Sequence, residues 1–481
     1  MIIDQKIGQA AKWASVTEII TKLITPITNM FLARLLIPEA FGVVATITMV
    51  ISFAEVFTDA GFQKYIVQHD FPDEQELDKS TNVAFWTNLG ISCFICTIIF
   101  LFRHQVARMV GNPDLGNSIS IASTLIIIAA FSSIQTARYR RALDFKTLFY
   151  VRIVTSLIPL VVTVPLAFFL RNYWALLTGT FASQLCNAII LTVRSKWKPR
   201  LYYNFELFKE MFSFSAWTML ESISIWVTSY VDILFVGRAL NEYYLGIYKV
   251  SMSTVNSCMI IITGAVLPVL FSGLSRYQND DDNFKRIYYQ FLRFTSILVI
   301  PMGVGIFLYR ELVTNLLLGA QWGEASGFVG LWGLTSAFTI VFAQLSDEVY
   351  RSKGKPKVSF FLQLIHLTCL IPTILFSIQY GYEKLYIARS LIRLESVVAS
   401  LCVMHFAYRI TISKVIYNTL PAIVSAAVMG IVGYFMVNSF QSMIAQLFSI
   451  FICIFVYFAV LFLVFPNTRN ELMQMPYFKR K

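Results

Sequence analysis

Runs of about 20 mainly apolar residues recur along the whole chain of 481 residues. A run of this length crosses the hydrocarbon core of a bilayer as an α-helix, which rises about 1.5 Å per residue. Hydrophobic residues make up 57% of the chain and charged residues only 14%, too few to cover the surface of a soluble protein of this size. The sequence therefore predicts an all-α integral membrane protein. Fourteen candidate spans lie near residues 13–33, 41–62, 81–102, 118–137, 147–170, 173–193, 211–236, 243–272, 288–309, 325–349, 358–380, 384–407, 416–437 and 443–465.

Positive charges are distributed unevenly between the loops. If the N-terminus is cytoplasmic, four basic clusters, in residues 138–146, 194–200, 351–357 and 479–481, fall on the cytoplasmic side, and few of the 39 Lys and Arg fall in outer loops. Cytoplasmic loops of membrane proteins carry such an excess. The pattern predicts that both termini are cytoplasmic. It also explains the net charge of +12 without a nucleic-acid partner.

An internal repeat relates the two halves of the chain. Residues 31–42 match residues 235–246 at Phe, Arg, Leu and Gly with a constant offset of 204, and residues 139–146 match 350–357 with an offset of 211. Both matches pair a helix with the sixth helix after it, which preserves its orientation in the membrane. We therefore predict two pseudo-symmetric six-helix lobes with two helices added at the end. The predicted domains are 1–200 (helices 1–6), 201–410 (helices 7–12) and 411–481 (helices 13–14 and a cytoplasmic tail).

Polar residues follow single faces of predicted helices 1, 2, 7 and 8. Charged groups inside a membrane are costly and usually face a cavity or partner helices. The stripes predict a hydrated cavity at the lobe interface, although a Glu18–Lys22 pair one turn apart and hydroxyl-mediated helix packing also explain them. The candidate substrate contacts are Lys22, Lys249, Arg34, Arg238, Asn29 and Asn256, and the candidate coupling-ion residues are Glu18, Glu55, Asp59, Glu221 and Asp232.

Other motifs restrict the chemistry. Arg34 and Arg238 fall at the predicted outer ends of helices 1 and 7. They are either gate residues or substrate contacts, or they extend to the membrane interface and cap the helix C-termini. Cys93 and Cys96 form a CxxC inside an apolar run with no nearby His, which indicates inert thiols. The phosphate-binding motif G-x-x-x-x-G-K-[ST] is absent, so ATP hydrolysis is not expected. We predict no cofactor and no metal site.

Several stretches resemble the polysaccharide transporter (Wzx-type) branch of the multidrug/oligosaccharidyl-lipid/polysaccharide flippase superfamily. The most specific is Leu32-Ala-Arg-Leu-Leu-Ile-Pro-Glu-Ala-Phe-Gly42, which joins helices 1 and 2. The likeness covers roughly residues 8–415. It continues through Ala11-Lys-Trp13, Phe57-Thr-Asp-Ala-Gly-Phe62, Ile66-Val-Gln68, Asn112-Pro113, Tyr139-Arg-Arg-Ala-Leu-Asp-Phe-Lys146, Leu267-Pro-Val-Leu-Phe271 and Gly319-Ala-Gln-Trp322.

The resemblance implies a substrate, a fold and partners. It implies an undecaprenyl-pyrophosphate-linked oligosaccharide, moved to the outer leaflet of the bacterial inner membrane by alternating access of two lobes in a MATE/MurJ-like fold. Cationic cavity residues would hold the pyrophosphate, with Lys22 and Lys249 as candidates. The implied partners are membrane lipids, a polysaccharide polymerase and a chain-length regulator.

Two rival functions compete with a glycan-lipid flippase. An ion-coupled multidrug exporter of the same superfamily should prefer an acidic, aromatic cavity, whereas the stripes mix Lys and Glu. A membrane polysaccharide polymerase or glycosyltransferase usually carries its catalytic residues on a long external loop. The outer loops here are short, so we predict that the chain is not an enzyme.

Overall fold

The structure, a computed structural model, describes residues 2–59, 61–355, 357–440, 442–466 and 468–469. In this part of the chain it contains helices and connecting loops and no strand. The prediction of an all-helical fold is therefore confirmed. The α-helices are α1 (Ile2–Leu35), α2 (Pro38–Asp59), α3 (Phe62–Gln68), α4 (Glu74–Leu101), α5 (Arg103–Met109), α6 (Gly116–Arg141), α7 (Phe145–Ile158), α8 (Val164–Leu170), α9 (Tyr173–Arg194), α10 (Phe205–Ala239), α11 (Glu242–Arg276), α12 (Asp281–Leu308), α13 (Arg310–Leu317), α14 (Ser326–Thr339), α15 (Leu345–Ser352), α16 (Lys357–Ser377), α17 (Tyr382–Tyr408), α18 (Ile412–Ser439) and α19 (Met443–Val464).

Short turns of other helix types join some of these elements. A π-helical turn at Pro159–Thr163 connects α7 to α8, and a second at Ile340–Gln344 connects α14 to α15. Three 3-10 turns lie at Pro113–Leu115, Ala320–Ala325 and Ile378–Tyr380. The elements from α7 to α8 and from α14 to α15 thus form continuous helical rods that are long enough to cross a bilayer.

Within the described residues, eleven helical segments are long and apolar enough to cross a membrane. They make the chain a multi-pass membrane protein. The three remaining predicted spans, 13–33, 211–236 and 384–407, lie in α1, α10 and α17, which are long helices outside the eleven.

Side chains at the loop ends explain where several helices begin. The Asp73 carboxylate accepts the backbone N–H of Glu76 at 2.8 Å and caps α4. Asp144 caps α7 in the same way through Thr147 N–H at 3.0 Å. Such caps satisfy donors that have no partner within the helix. Both caps lie in gaps between the predicted spans, at residues 63–80 and 138–146.

The ends of the repeated helices keep the offset seen in the sequence. Helices α1 and α10 end at Leu35 and Ala239, and α2 and α11 begin at Pro38 and Glu242. Each pair is separated by 204 residues. The residues that match in sequence therefore occupy the same position in the same kind of helix–turn–helix.

The first compact unit covers Met1–Lys249. Helix α6 lies near its centre and packs against α2, α4 and α9, while α1 packs along α7 and α8. Helix α10 packs against α2, α3 and α4. At the basic end of α6, the Arg141 guanidinium donates to the carbonyl groups of Ile66 at 3.0 Å and His69 at 2.6 Å, which closes the C-terminus of α3.

The second compact unit covers Val250–Lys481. Helix α12 packs against α14 and α18, and α18 packs against α19. Helix α17 packs against α14 and α16. The last two long helices are therefore attached to this unit through α12.

Candidate functional site

A polar cavity of about 520 Å³ lies inside the first unit. Its walls come from α1, α2, the rod from α7 to α8, and α9. Asn29, a predicted substrate contact, lies on the α1 wall together with Thr25. Lys22 is half-buried on the same helix and does not line the cavity. A pocket of this size is typical of small-molecule sites.

Two of the predicted charged residues meet where α10 approaches the start of α11. Asp232 is buried, with 3% of its surface exposed, and its carboxylate accepts the Tyr248 hydroxyl at 2.8 Å. Lys249 interacts electrostatically with Asp232, and its ammonium lies 5.7 Å from the centre of the Tyr230 ring. A candidate substrate contact and a candidate coupling residue thus belong to one cluster.

The remaining predicted carboxylates lie on α1, α2 and α10. Glu55 on α2 is half-buried. Nearby, the Trp226 indole N–H donates to the Ser52 hydroxyl at 3.1 Å and joins α10 to α2. The side chains of Glu18, Asp59 and Glu221 lie outside the part of the chain that the structure describes.

The C-terminal ends of α1 and α10 carry Arg34 and Arg238, both exposed. Beside them, α2 and α11 begin in direct backbone contact. A Cβ atom built on Gly42 would lie 1.9 Å from the Glu242 carbonyl oxygen, and one built on Gly246 would lie 1.8 Å from the Pro38 carbonyl oxygen. Only glycine permits so close an approach.

A buried amide reinforces this backbone contact. The side chain of Asn112 lies 3.1 Å from the Thr46 hydroxyl on α2 and 3.0 Å from the Glu242 carboxylate on α11. Both contacts are hydrogen bonds when the amide nitrogen faces the carboxylate and the amide oxygen faces the hydroxyl. Asn112 thus links α2 to the start of α11.

In the second unit, Asn256 accepts a hydrogen bond from the Trp332 indole at 3.2 Å. The Arg393 guanidinium lies 3.8 Å from the centre of the Trp332 ring and donates to the Ser336 hydroxyl at 2.8 Å. Arg389, one turn earlier, lies 5.1 Å from the same ring. Sequence reasoning missed Trp332, although the spacing of the two arginines on one helix face was a usable signal.

An apolar cavity of about 420 Å³ also lies in the second unit. It is lined by α12, α13, α18 and α19, and its polar groups are few. Within the described residues, no group of three or more His, Cys, Asp or Glu is arranged to hold a metal ion. The seven cysteines are all free.

A family model described as "Polysaccharide biosynthesis protein" matches residues 31–327, more than half of the chain. The chain belongs to this family. The matched region of this polysaccharide biosynthesis protein contains the Gly42–Gly246 contact, the Asp232–Tyr248–Lys249 cluster and most of the polar cavity. The prediction of a polysaccharide transporter of the flippase superfamily is confirmed.

Curated relatives of this polysaccharide biosynthesis protein carry related names. The succinoglycan biosynthesis transport protein ExoT of Rhizobium meliloti is 25% identical over 64% of this chain and 62% of its own length. The match to ExoT therefore spans less than two thirds of that protein. The lipopolysaccharide biosynthesis protein WzxC of Escherichia coli is 21% identical over 90% of this chain and 89% of its own length.

Solved structures with the same fold are membrane transporters. The lipid II flippase MurJ, in an inward closed conformation, superposes with a TM-score of 0.74 at 16% identity over 94% of this chain and 98% of MurJ. An inward-facing multidrug resistance MATE family transporter superposes with a TM-score of 0.60 at 12% identity over 85% of this chain and 95% of its own. At these identities the likeness establishes the fold alone.

Proposed function

We propose that this polysaccharide biosynthesis protein flips undecaprenyl-pyrophosphate-linked oligosaccharide repeat units across the bacterial cytoplasmic membrane by alternating access. The observation that carries the proposal is the polar cavity between apolar helices, in a chain with relatives named as a succinoglycan biosynthesis transport protein and a lipopolysaccharide biosynthesis protein. Sugars need such a hydrated path, since their hydroxyl groups are costly to bury in hydrocarbon. The repeat units serve the biosynthesis of O-antigen, capsule or exopolysaccharide.

The transporter consists of fourteen spans in two six-helix lobes, residues 1–200 and 201–410, with two further helices in residues 411–481. Support comes from the offset of 204 between the helix ends of α1 and α10 and the helix starts of α2 and α11. Both termini are cytoplasmic, in keeping with the basic clusters of the loops. The reciprocal contact of Gly42 and Gly246 then lies on the outer side.

The predicted charged and amide residues have separate roles in this proposal. Lys22 and Lys249 supply positive charge for the pyrophosphate, and Arg34 and Arg238 contact it at the outer side. Asn29 and Asn256 supply amide hydrogen bonds. The intramembrane carboxylates, Glu18, Glu55, Asp59, Glu221 and Asp232, provide the positions at which a coupling proton or cation binds.

The lipid part of the substrate needs an apolar surface next to the polar one. The apolar cavity between α12, α18 and α19 suits a polyprenyl chain, because its lining is almost entirely hydrocarbon. Membrane lipids are the surrounding partners. A polysaccharide polymerase and a chain-length regulator receive the flipped repeat units.

A multidrug exporter is the second candidate, favoured by the MATE-like fold. Measuring lipid-linked oligosaccharides in a strain that lacks the gene separates the two functions. The flippase predicts that a lipid-linked repeat unit accumulates on the cytoplasmic side and that surface polysaccharide is lost. Normal polysaccharide together with increased sensitivity to organic cations would instead favour the exporter.

A further inference from the structure

The polar cavity of the first unit has features that the roles above leave unexplained. Its walls face one another across α1, α7 and α9, and all lie within the first unit, Met1–Lys249. Most of its lining side chains are hydroxyls and amides. Among the described lining residues, Arg152 is the one charged side chain and no carboxylate is present.

Proline makes one wall polar at the level of the backbone. Pro159 has no N–H, so the carbonyl group of Thr155, four residues earlier, loses its helical donor. The Ser183 hydroxyl of α9 donates to that carbonyl at 3.3 Å. The π turn begins at the same proline, and π turns are frequent at functional sites.

A glycine allows α9 to approach this turn closely. A Cβ atom on Gly179 would lie 1.7 Å from the Thr163 hydroxyl oxygen. Thr163 is 3% exposed and lines the cavity with Gly179. The close approach therefore brings the polar faces of the π turn and α9 together.

The hydroxyl groups of the walls are oriented by their own helices. Thr25, Ser156 and Thr180 donate to backbone carbonyls three or four residues earlier, at 3.0, 2.8 and 2.9 Å. Each hydroxyl thereby presents its oxygen lone pairs to the cavity. Amides of Gln184 and Asn187 on α9 add both donors and acceptors.

These properties select one class of ligand. A hydroxyl-rich sugar donates to the oriented acceptors and accepts from the amides, whereas Arg152 repels an organic or inorganic cation. We propose that this cavity is a saccharide subsite in which Arg152 binds an anionic oxygen group attached to the sugar, either a carboxylate or a phosphate. This inference rests on the proposed flippase function and names where that substrate's sugars bind.

Binding to the purified full-length protein in detergent tests the inference. The probes are maltotriose, trigalacturonic acid and glucose 1-phosphate, titrated to millimolar concentrations by calorimetry. Arg152→Gln should lower the affinity for trigalacturonic acid, for glucose 1-phosphate or for both by about tenfold, because a charge-assisted hydrogen bond contributes about that factor. The affinity for maltotriose should not change. The weakened probe identifies the anionic group as carboxylate or phosphate.

Matched variants separate the cavity from the rest of the surface. Thr180→Val removes an oriented acceptor that lines the cavity and should lower the affinity for all three probes severalfold. Thr178 is exposed on the same helix but does not line the cavity, so Thr178→Val should leave all three affinities unchanged. Arg140→Gln, which removes one exposed cation at the end of α6, controls for net charge. Equal affinities for the native protein, Arg152→Gln and Thr180→Val, or no binding of any probe, would overturn the inference.

Export in cells keeps the two proposals distinguishable. Suppose that the deletion strain accumulates lipid-linked oligosaccharide but the Arg152→Gln and Thr180→Val proteins restore export fully. The flippase function is then supported and the saccharide subsite is ruled out. If deletion leaves lipid-linked oligosaccharides unchanged, the flippase falls, and the calorimetric titrations still decide whether the cavity binds saccharides.

Discussion

Gly42 and Gly246 bring the first turns of α2 and α11 into backbone contact. Each glycine faces a carbonyl group of the other helix, those of Glu242 and Pro38, at a distance that leaves no room for a methyl group. The contact is reciprocal, because Pro38 and Glu242 are separated by the same 204 residues as the two glycines. A point of approximate two-fold symmetry therefore lies between α2 and α11.

Gly246→Ala should prevent this contact from closing. The added methyl group would overlap the Pro38 carbonyl oxygen, and such overpacking typically costs about 1–3 kcal/mol. If the contact is the outer gate, glycan export falls severalfold, and a cysteine replacing the buried Thr46 becomes reactive toward an impermeant maleimide. Gly90→Ala, where a Cβ meets nothing within 4 Å, is the matched control. Normal export with an unlabelled residue 46 would argue against a gate here.

Much of the helical framework was predictable from local signals. Apolar run length located each long helix, and Asp73 and Asp144 marked helix starts because a carboxylate caps free N–H groups. The cavity was not predictable in the same way. Asn29, Ser156 and Gln184 line one cavity only because three helices pack together. The periodicity of a sequence shows which face of a helix is polar, but not which other helix packs against that face.

The two candidate pyrophosphate lysines can be tested together. Replacing Lys22 and Lys249 with Ala should abolish export, because a doubly charged pyrophosphate in a membrane cavity needs paired cations. Surface polysaccharide measured by immunoblot, with membrane insertion checked by fractionation, gives the result. The control is the same double replacement at exposed Lys209 and Lys414. Normal glycan output from the Lys22/Lys249 variant would remove both lysines from the mechanism.

The buried hydrogen bond between Tyr248 and Asp232 predicts a stability effect. Tyr248→Phe removes the donor and leaves the carboxylate of buried Asp232 with one fewer partner, which should lower the unfolding free energy by about 1–3 kcal/mol. Adding Asp232→Asn to this variant should recover part of the loss, because the neutral amide is cheaper to bury. Thermal unfolding in detergent measures both. Additive losses in the double variant would show that the two side chains act independently.

The predicted orientation depends on the loop that follows α9. Arg200 anchors this loop, since its carbonyl group accepts the Trp86 indole N–H at 2.8 Å and its N–H donates to Asn82 at 2.7 Å. Lys198 is exposed beside this anchor. A cysteine at residue 198 should react only after the membrane is permeabilised, whereas one at Arg171, at the opposite end of α9, should react in intact cells. Labelling of residue 198 in intact cells would show that the predicted orientation is wrong.

Trp332 organises the polar side chains of the second unit and offers a graded test. Trp332→Phe keeps an aromatic face for Arg393 and loses the hydrogen bond to Asn256, so we expect a loss of about 1 kcal/mol. Trp332→Leu also removes the ring under the guanidinium. It should lower the unfolding free energy by about a further 0.5–2 kcal/mol, the range of cation–π contacts. The thermal unfolding temperature should be highest for the native protein, lower for Trp332→Phe and lowest for Trp332→Leu. Equal stability of the Phe and Leu variants would mean that Arg393 depends on its Ser336 hydrogen bond and not on the ring.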